Sequence, residues 1–186
     1  MNEKQTPNKA KTSVTPSAAF KIAAAAIFAS LVAAATLLFV IPIPATSGYF
    51  NLGETLIYVA ALLFGPLVGS AAGAGASIAD ALVAAQFAPG TFTIKAIEGF
   101  LVGFLTKKLN LKIKSLTVCA TIAIVIGGFE MVAGYFLYET LALGYPVTLA
   151  AVEIPFNIIQ MLIGLTIAVP IMHAVLRIFP QLKSRI

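Results

Sequence analysis

Long apolar runs broken by proline and glycine constrain the fold of this chain more than any other feature of its sequence. Only 10% of its 186 residues are charged, whereas soluble domains carry roughly 25% charged residues. Within a bilayer the backbone must satisfy its own hydrogen bonds, so apolar runs of about 20 residues are spanning helices. We therefore predict an all-α integral membrane protein in which residues 17–186 form a single bundle of six transmembrane helices. The predicted helices cover 18–41, 52–65, 67–87, 91–106, 113–138 and 147–178, and the second and fourth are short.

The basic residues predict the orientation of this bundle. Eleven of the twelve Lys and Arg residues precede the first helix, lie between the fourth and fifth, or follow the sixth. The positive-inside rule then places both termini in the cytoplasm, and residues 1–16 are expected to be a disordered cytoplasmic tail. The net charge of +5 therefore indicates membrane topology rather than a nucleic-acid partner. The first apolar run is longer than the hydrophobic region of a signal peptide, so we expect it to be retained.

In this orientation the charged residues within the helices all fall in the outer half of the bilayer. A charged side chain at a helix centre costs about 2.5–3.5 kcal/mol on insertion scales, so such residues need hydration, pairing or a function. Their shared depth predicts a polar cavity that opens to the outside. These residues are Glu54, Asp80, Lys95, Glu98, Glu130 and Glu153.

Three polar residues of the sixth helix define the predicted wall of that cavity. Glu153, Asn157 and Gln160 recur at i, i+4 and i+7, which places them on one helical face. We expect them to hydrogen-bond a ligand, while charged residues of the fourth helix fix another wall and an aromatic residue of the first loop covers it. The candidate substrate-binding residues are Tyr49, Phe50, Asn51, Lys95, Glu98, Glu130, Glu153, Asn157 and Gln160.

Simpler roles remain open for several of these residues. Asn51 and Glu54 have the spacing of a capping box, and Asp80 could be paired within the bundle. Lys95 and Glu98 could neutralise each other without touching a ligand. The aromatic residues at the outer ends of the helices could equally form an interfacial belt.

A stripe of small residues runs along the first helix. Ala25, Ala29 and Ala33 are spaced by four, and a second row of small residues lies one position further along. Such rows let two helix backbones approach closely, which drives helix association in lipid. The spacing does not distinguish a contact within the bundle from a contact with another protein.

Several motifs of energised transport and catalysis are absent from the sequence. It has no GxxxxGK[ST] phosphate loop, no HExxH and no GxSxG, and it has one histidine. We therefore expect no catalytic residues, no metal site, no cofactor and no ATPase site, and instead a binder of solutes that its partners drive. The alternatives are a stand-alone facilitator or proton-linked transporter that uses Asp80, Glu98 or Glu130 as relays, and an inert scaffold.

Three segments carry a resemblance to a known family. They are SGYFNLGETLIYVAALLFGPLVGSAAGAGASIADAL, APGTFTIKAIEGFLVGFL and VEIPFNIIQMLIGLTIAVPI. Together they resemble the substrate-binding S component of energy-coupling factor (ECF) transporters, in particular the group of riboflavin, pyridoxine and hydroxymethylpyrimidine carriers. The resemblance covers about residues 18–177.

This resemblance implies a six-helix S-component fold in a prokaryotic plasma membrane, with a pocket formed by the first loop and helices four to six. It implies that Ala25, Ala29 and Ala33 dock on a transmembrane coupling subunit that carries two cytoplasmic ATPases. It also implies delivery of a vitamin by toppling of the whole S component. The excess of acids over lysine in the outer half favours a neutral or weakly basic heteroaromatic alcohol, such as pyridoxine or hydroxymethylpyrimidine, over an anion; riboflavin is compatible.

Overall fold

The computed structural model describes residues 17–185, and the tail predicted for residues 1–16 lies outside them. The described chain is largely helical, so the prediction of an all-α fold is confirmed. The elements are α1 (Ala18–Leu38), β1 (Ile41–Pro42), β2 (Tyr49–Phe50), α2 (Gly53–Phe64), α3 (Pro66–Val83), α4 (Ala88–Asn110), α5 (Leu116–Leu141), α6 (Val147–Ala150), α7 (Glu153–Ile178) and a 3-10 segment (Pro180–Arg185).

Two of the predicted helices differ from the observed ones. α4 has 23 residues rather than a short span, because it starts at Ala88 and continues through the lysines of its last turn. The sixth predicted helix is divided into the single turn α6 and the long helix α7. Four helical regions of the described chain, namely α1, α3, α5 and residues 147–178, are long and apolar enough to cross a membrane. The count of six spans and the orientation of the termini stay predictions.

The short helix α2 lies at the centre of the molecule. Its 12 residues correspond to about 18 Å, which is less than the roughly 30 Å of a bilayer core. Ten of them are buried, because α2 packs against α1, α3, α4 and α7. Its polar residues therefore face protein rather than lipid, and this places Glu54 inside the bundle.

Glycines allow α3 to pack closely against α4. A side chain at Gly69 would overlap the carbonyl oxygen of Gly99, and one at Gly73 would overlap that of Lys95. Small residues at such crossings let the two backbones meet, as is usual for helix pairs in membranes. The contact fixes the position of Lys95 at the bundle centre.

The Ala25, Ala29 and Ala33 stripe of α1 contributes to a similar contact within the chain. Ala33 is buried and the other two alanines are half-buried, and the backbone of Ala29 lies where a side chain at Gly75 of α3 would be. The second row, which consists of Ala26, Ser30 and Ala34, is exposed.

The loop between α1 and α2 folds into a small hairpin. Ile41 pairs with Phe50, and Pro42 pairs with Tyr49, in an antiparallel register. Ile43 is buried in this loop, so the hairpin is packed onto the end of the bundle. This positions residues 46–51 over the start of α7.

Candidate substrate-binding site

A polar cavity lies beneath the β1–β2 hairpin. Its volume of about 30 Å³ is enough for one or two water molecules. The structure brings six of the nine predicted binding residues together around it: Tyr49, Asn51, Lys95, Glu153, Asn157 and Gln160. The remaining lining residues are Gly48, Asp80, Phe87 and Tyr135.

The wall formed by α7 has the arrangement predicted from its spacing. Glu153 is the first residue of the helix, so Asn157 and Gln160 follow on the face that it begins. The Gln160 amide is held at both ends, because Nε2 donates to Glu54 Oε2 at 3.0 Å and Oε1 accepts from the Asn51 backbone N–H at 3.1 Å. The Asn157 side chain forms no hydrogen bond with any residue between 17 and 185 and therefore stays available to a ligand.

A buried charge cluster supports the cavity from below. Lys95 Nζ forms an ion pair with Glu54 Oε2 and lies 3.5 Å from Glu98 Oε2. Tyr58 donates to Glu98 Oε1 at 2.8 Å. The side chains of the lysine and its two acids are 4%, 1% and 0% exposed. Lys95 is thus shared by two carboxylates.

The capping-box interpretation of Asn51 and Glu54 is wrong. Leu52 is the N-cap of α2, and the Glu54 carboxylate binds Lys95 and Gln160 instead of a backbone N–H. The Asn51 carbonyl oxygen accepts from the Gly53 backbone N–H at 2.9 Å, which fixes the turn into α2. The ion pair with the buried Lys95 satisfies this carboxylate, and this tertiary contact overrides the local spacing.

Asp80 joins the hairpin to the helices on the opposite side of the cavity. Both Tyr49 and Thr91 donate to its carboxylate, and Thr91 Oγ1 lies 2.8 Å from the Tyr135 hydroxyl. Lys95 Nζ lies 5.6 Å from the centre of the Tyr135 ring, within the range of a cation–π contact. Burial, reinforced by the Asp80 carboxylate, raises the pKa of the Tyr49 phenol, so this phenol remains a donor. The alternative that Asp80 is paired within the bundle is therefore what the structure contains.

A second contact fastens the hairpin to α7. Thr46 donates to Glu153 Oε1, and the Gly48 backbone N–H donates to Thr46 Oγ1 at 3.1 Å. A side chain at Gly48 would overlap the Glu153 carboxylate, so the close approach of the hairpin requires glycine here. Together with the contacts of Tyr49 and Asn51, these contacts hold the hairpin over the cavity.

Three of the predicted binding residues do not line the cavity. Phe50 is half-buried within the hairpin, and Glu98 lies behind Lys95. Glu130 is half-buried on α5, where its Oε2 has no hydrogen-bond partner among the described residues.

Sequence reasoning missed Tyr135, Glu139 and the Thr46 contact. Glu139 is fully buried, and neither of its carboxylate oxygens has a hydrogen-bond partner within residues 17–185. The spacing of Tyr135 and Glu139 at i, i+4 is the signal that could have found this face of α5.

The groups that line the site are mainly hydrogen-bonding groups. Six acidic residues of the described chain accompany one lysine within it or beside it, and Phe87 and Tyr135 add aromatic surface. Within residues 17–185, no three His, Cys, Asp or Glu side chains are grouped as metal ligands would be. Carboxylate and amide oxygens in excess suit a ligand that donates hydrogen bonds.

Comparisons with known proteins agree with this architecture. The sequence matches the family described as ECF-type riboflavin transporter, S component, over residues 17–177. A Pyrococcus woesei protein described as "Uncharacterized protein in gap 3'region" is 42% identical over 101 residues, or 54% of this chain, and the match spans 65% of that relative's length. A solved structure described as "Structure and mechanism of the S component of a bacterial ECF transporter" has the same fold, with a TM-score of 0.65 at 16% identity over 86% of this chain and 96% of the other. Because the family match covers most of its length, this chain belongs to the S-component family of ECF-type riboflavin transporters.

Proposed function

We propose that this chain is the substrate-capture subunit of an ECF-type importer in a prokaryotic plasma membrane, and that it binds a vitamin or vitamin precursor in the cavity beneath the hairpin. The observation that carries this proposal is the α7 wall, on which three polar residues face one cavity and the Asn157 amide has no partner among the described residues. The half-buried Asn157 amide has no hydrogen bond to give up among residues 17–185, so a ligand that bonds it gains a polar contact without displacing another. Asn157 is therefore the primary ligand contact.

Ligand entry requires the hairpin to move. Pockets for small molecules measure roughly 300–1,000 Å³, whereas this cavity measures about 30 Å³. The hairpin is held by the side-chain contacts of Thr46 with Glu153 and of Tyr49 with Asp80. Breaking these contacts exposes two carboxylates that a ligand then binds in their place.

The ligand is a small heteroaromatic molecule that carries hydrogen-bond donors. The excess of carboxylates disfavours an anion, because its charge would face Asp80 and Glu153 in the cavity wall. The rings of Phe87 and Tyr135 offer stacking surfaces. Pyridoxine and hydroxymethylpyrimidine combine these features in a small volume, and riboflavin is the vitamin in the family's description.

The partners are a transmembrane coupling subunit and two cytoplasmic ATPases, and delivery occurs by toppling of the chain in the membrane. The exposed row formed by Ala26, Ser30 and Ala34 gives the coupling subunit a smooth helix surface. The neighbouring stripe, predicted as the docking site, packs partly on α3. The surface that docks on the coupling subunit therefore includes the exposed row as well as the accessible part of this stripe.

Uptake into proteoliposomes tests this function. Vesicles that contain the chain together with a coupling subunit and ATPases accumulate a labelled vitamin when ATP is inside. Ser30→Leu, in the exposed row, stops this uptake without weakening ligand binding, whereas Leu31→Met, at the next and also exposed position of α1, leaves it intact. Uptake by the chain alone under a proton gradient would instead establish a stand-alone transporter.

A further inference from the structure

A second cavity lies at the opposite end of the bundle from the candidate substrate site. It has a volume of about 370 Å³, more than ten times that of the cavity beneath the hairpin. Its walls come from the end of α4, the start of α5, the last two turns of α7 and the 3-10 segment. The lining residues are Asn110, Leu116, His173, Leu176, Arg177 and Lys183.

Two cations in this cleft have no acidic partner. Neither Arg177 nor Lys183 forms an ion pair with a residue of the described chain, in which the ion pairs belong to Lys95. The six described acids belong to the substrate site or lie on the helices around it, at the other end of the molecule. The Asn110 amide provides a further donor. The cleft therefore presents donors and positive charge without a compensating acid.

The side chains of the cleft are arranged for an anion bearing an apolar tail. Its floor is the buried Leu176, and His173 Nε2 lies 2.8 Å from Thr117 Oγ1, which links α7 to α5 beside it. Apolar residues next to the lining residues in sequence are exposed, with Leu111 at 84% and Ile178 at 69%. Charged donors over an apolar flank match a lipid headgroup and its acyl chains.

We propose that this cleft binds a phosphate group, supplied by the headgroup of an anionic phospholipid whose chains lie on the flanking apolar residues. Arg177 binds the two non-bridging phosphate oxygens through its guanidinium, which suits phosphate geometry, and Lys183 adds a second positive charge that attracts the headgroup. Four further lysines lie at this end of the bundle, at the end of α4 and in the loop after it, and strengthen the local attraction. This inference is independent of the vitamin site.

Native mass spectrometry of the purified full chain tests the proposal. Equal amounts of phosphatidylglycerol and phosphatidylcholine with the same acyl chains are added, and the retained adducts are counted as a function of collision energy. We expect one phosphatidylglycerol molecule to be retained preferentially. In Arg177→Gln/Lys183→Gln, its affinity falls at least about tenfold, since each cation contributes about 1 kcal/mol.

Lys112→Gln/Lys114→Gln is the matched control, because it removes the same charge from exposed positions at the same end that do not line the cleft. Because these side chains do not touch the headgroup and salt screens exposed charges, the control is expected to change the affinity by less than about threefold. The unfolding temperature of each variant in phosphatidylcholine nanodiscs verifies that the fold is intact.

Three results would overturn the proposal. The first is equal retention of the two lipids by the wild-type chain. The second is an equal loss of phosphatidylglycerol by both double variants, which would mean that general surface charge attracts the lipid. Inorganic phosphate at millimolar concentration could displace the lipid completely, which would assign the cleft to free phosphate rather than to a headgroup. If the wild type shows no lipid preference but Arg177→Gln/Lys183→Gln no longer assembles with a coupling subunit, the cleft is a protein-docking surface.

Discussion

Replacing Lys95 by methionine is the perturbation whose effect is best defined by the structure. The substitution keeps the length and apolar stem of the side chain but removes the charge shared by Glu54 and Glu98. The Glu54 carboxylate then keeps Gln160 as its partner, and the Glu98 carboxylate keeps Tyr58. Removing one partner of a buried ion pair costs about 3–5 kcal/mol, because the remaining charge is uncompensated.

That cost is large enough to measure as a change in thermal stability. A loss of 1 kcal/mol lowers the melting temperature by about 2–4 °C in a chain of this size, so Lys95→Met melts about 10 °C below the wild type. The only cysteine of the sequence, Cys119, is buried. Its labelling by a maleimide dye during heating in nanodiscs therefore reports unfolding.

Two further variants isolate the charge effect. Lys107→Met, at an exposed position of the same helix, is the matched control and changes stability by less than about 0.5 kcal/mol. Lys95→Met/Glu54→Gln removes one of the two stranded carboxylates and recovers at least half of the lost stability. If Lys95→Met has the same melting temperature as Lys107→Met but no longer binds ligand, the reasoning is refuted and Lys95 is a ligand contact.

Three other predictions follow from the contacts of the site and the bundle. Asn157→Ala leaves the melting temperature unchanged, because the amide has no partner among residues 17–185, but weakens ligand binding about tenfold in calorimetric titrations; equal affinities would remove Asn157 from the site. Thr46→Val loses a hydrogen bond to a carboxylate that holds the hairpin over the empty site, so ligand association in stopped-flow measurements accelerates roughly tenfold; an unchanged association rate would mean that the hairpin does not control access. Gly73→Val forces α3 away from the backbone of α4 at Lys95 and yields little folded protein by size exclusion, whereas Ala81→Val, exposed on the same helix, is tolerated; a normal yield of Gly73→Val would contradict the close crossing.

The helices could be predicted from the sequence because apolar runs and their breaks are local signals. The length of α4 was underestimated because Pro89 and Gly90 at its start and Lys107 and Lys108 in its last turn mark the limits of the apolar run, although all four lie within the helix. The division of α6 from α7 was missed for the opposite reason, since an apolar run continues through the turn.

The site could be predicted only where its polar residues recur at helical spacing along one helix. The face formed by Glu153, Asn157 and Gln160 follows from helical periodicity alone. The contact of Thr46 with Glu153 joins residues 107 positions apart, so no local pattern indicates it. On α5, Glu130 was predicted to bind the ligand, whereas the buried residues of this helix include Met131, Tyr135 and Glu139.

Binding of vitamins to the purified chain tests the central claim most directly. Pyridoxine, hydroxymethylpyrimidine and riboflavin are titrated calorimetrically into the wild-type chain and into Asn157→Ala in nanodiscs. The proposed function predicts that one of them binds with a stoichiometry of one and that Asn157→Ala weakens this binding while folding normally. Binding of none of the three, or equal binding by both chains, would contradict the assignment of the cavity beneath the hairpin as the substrate site.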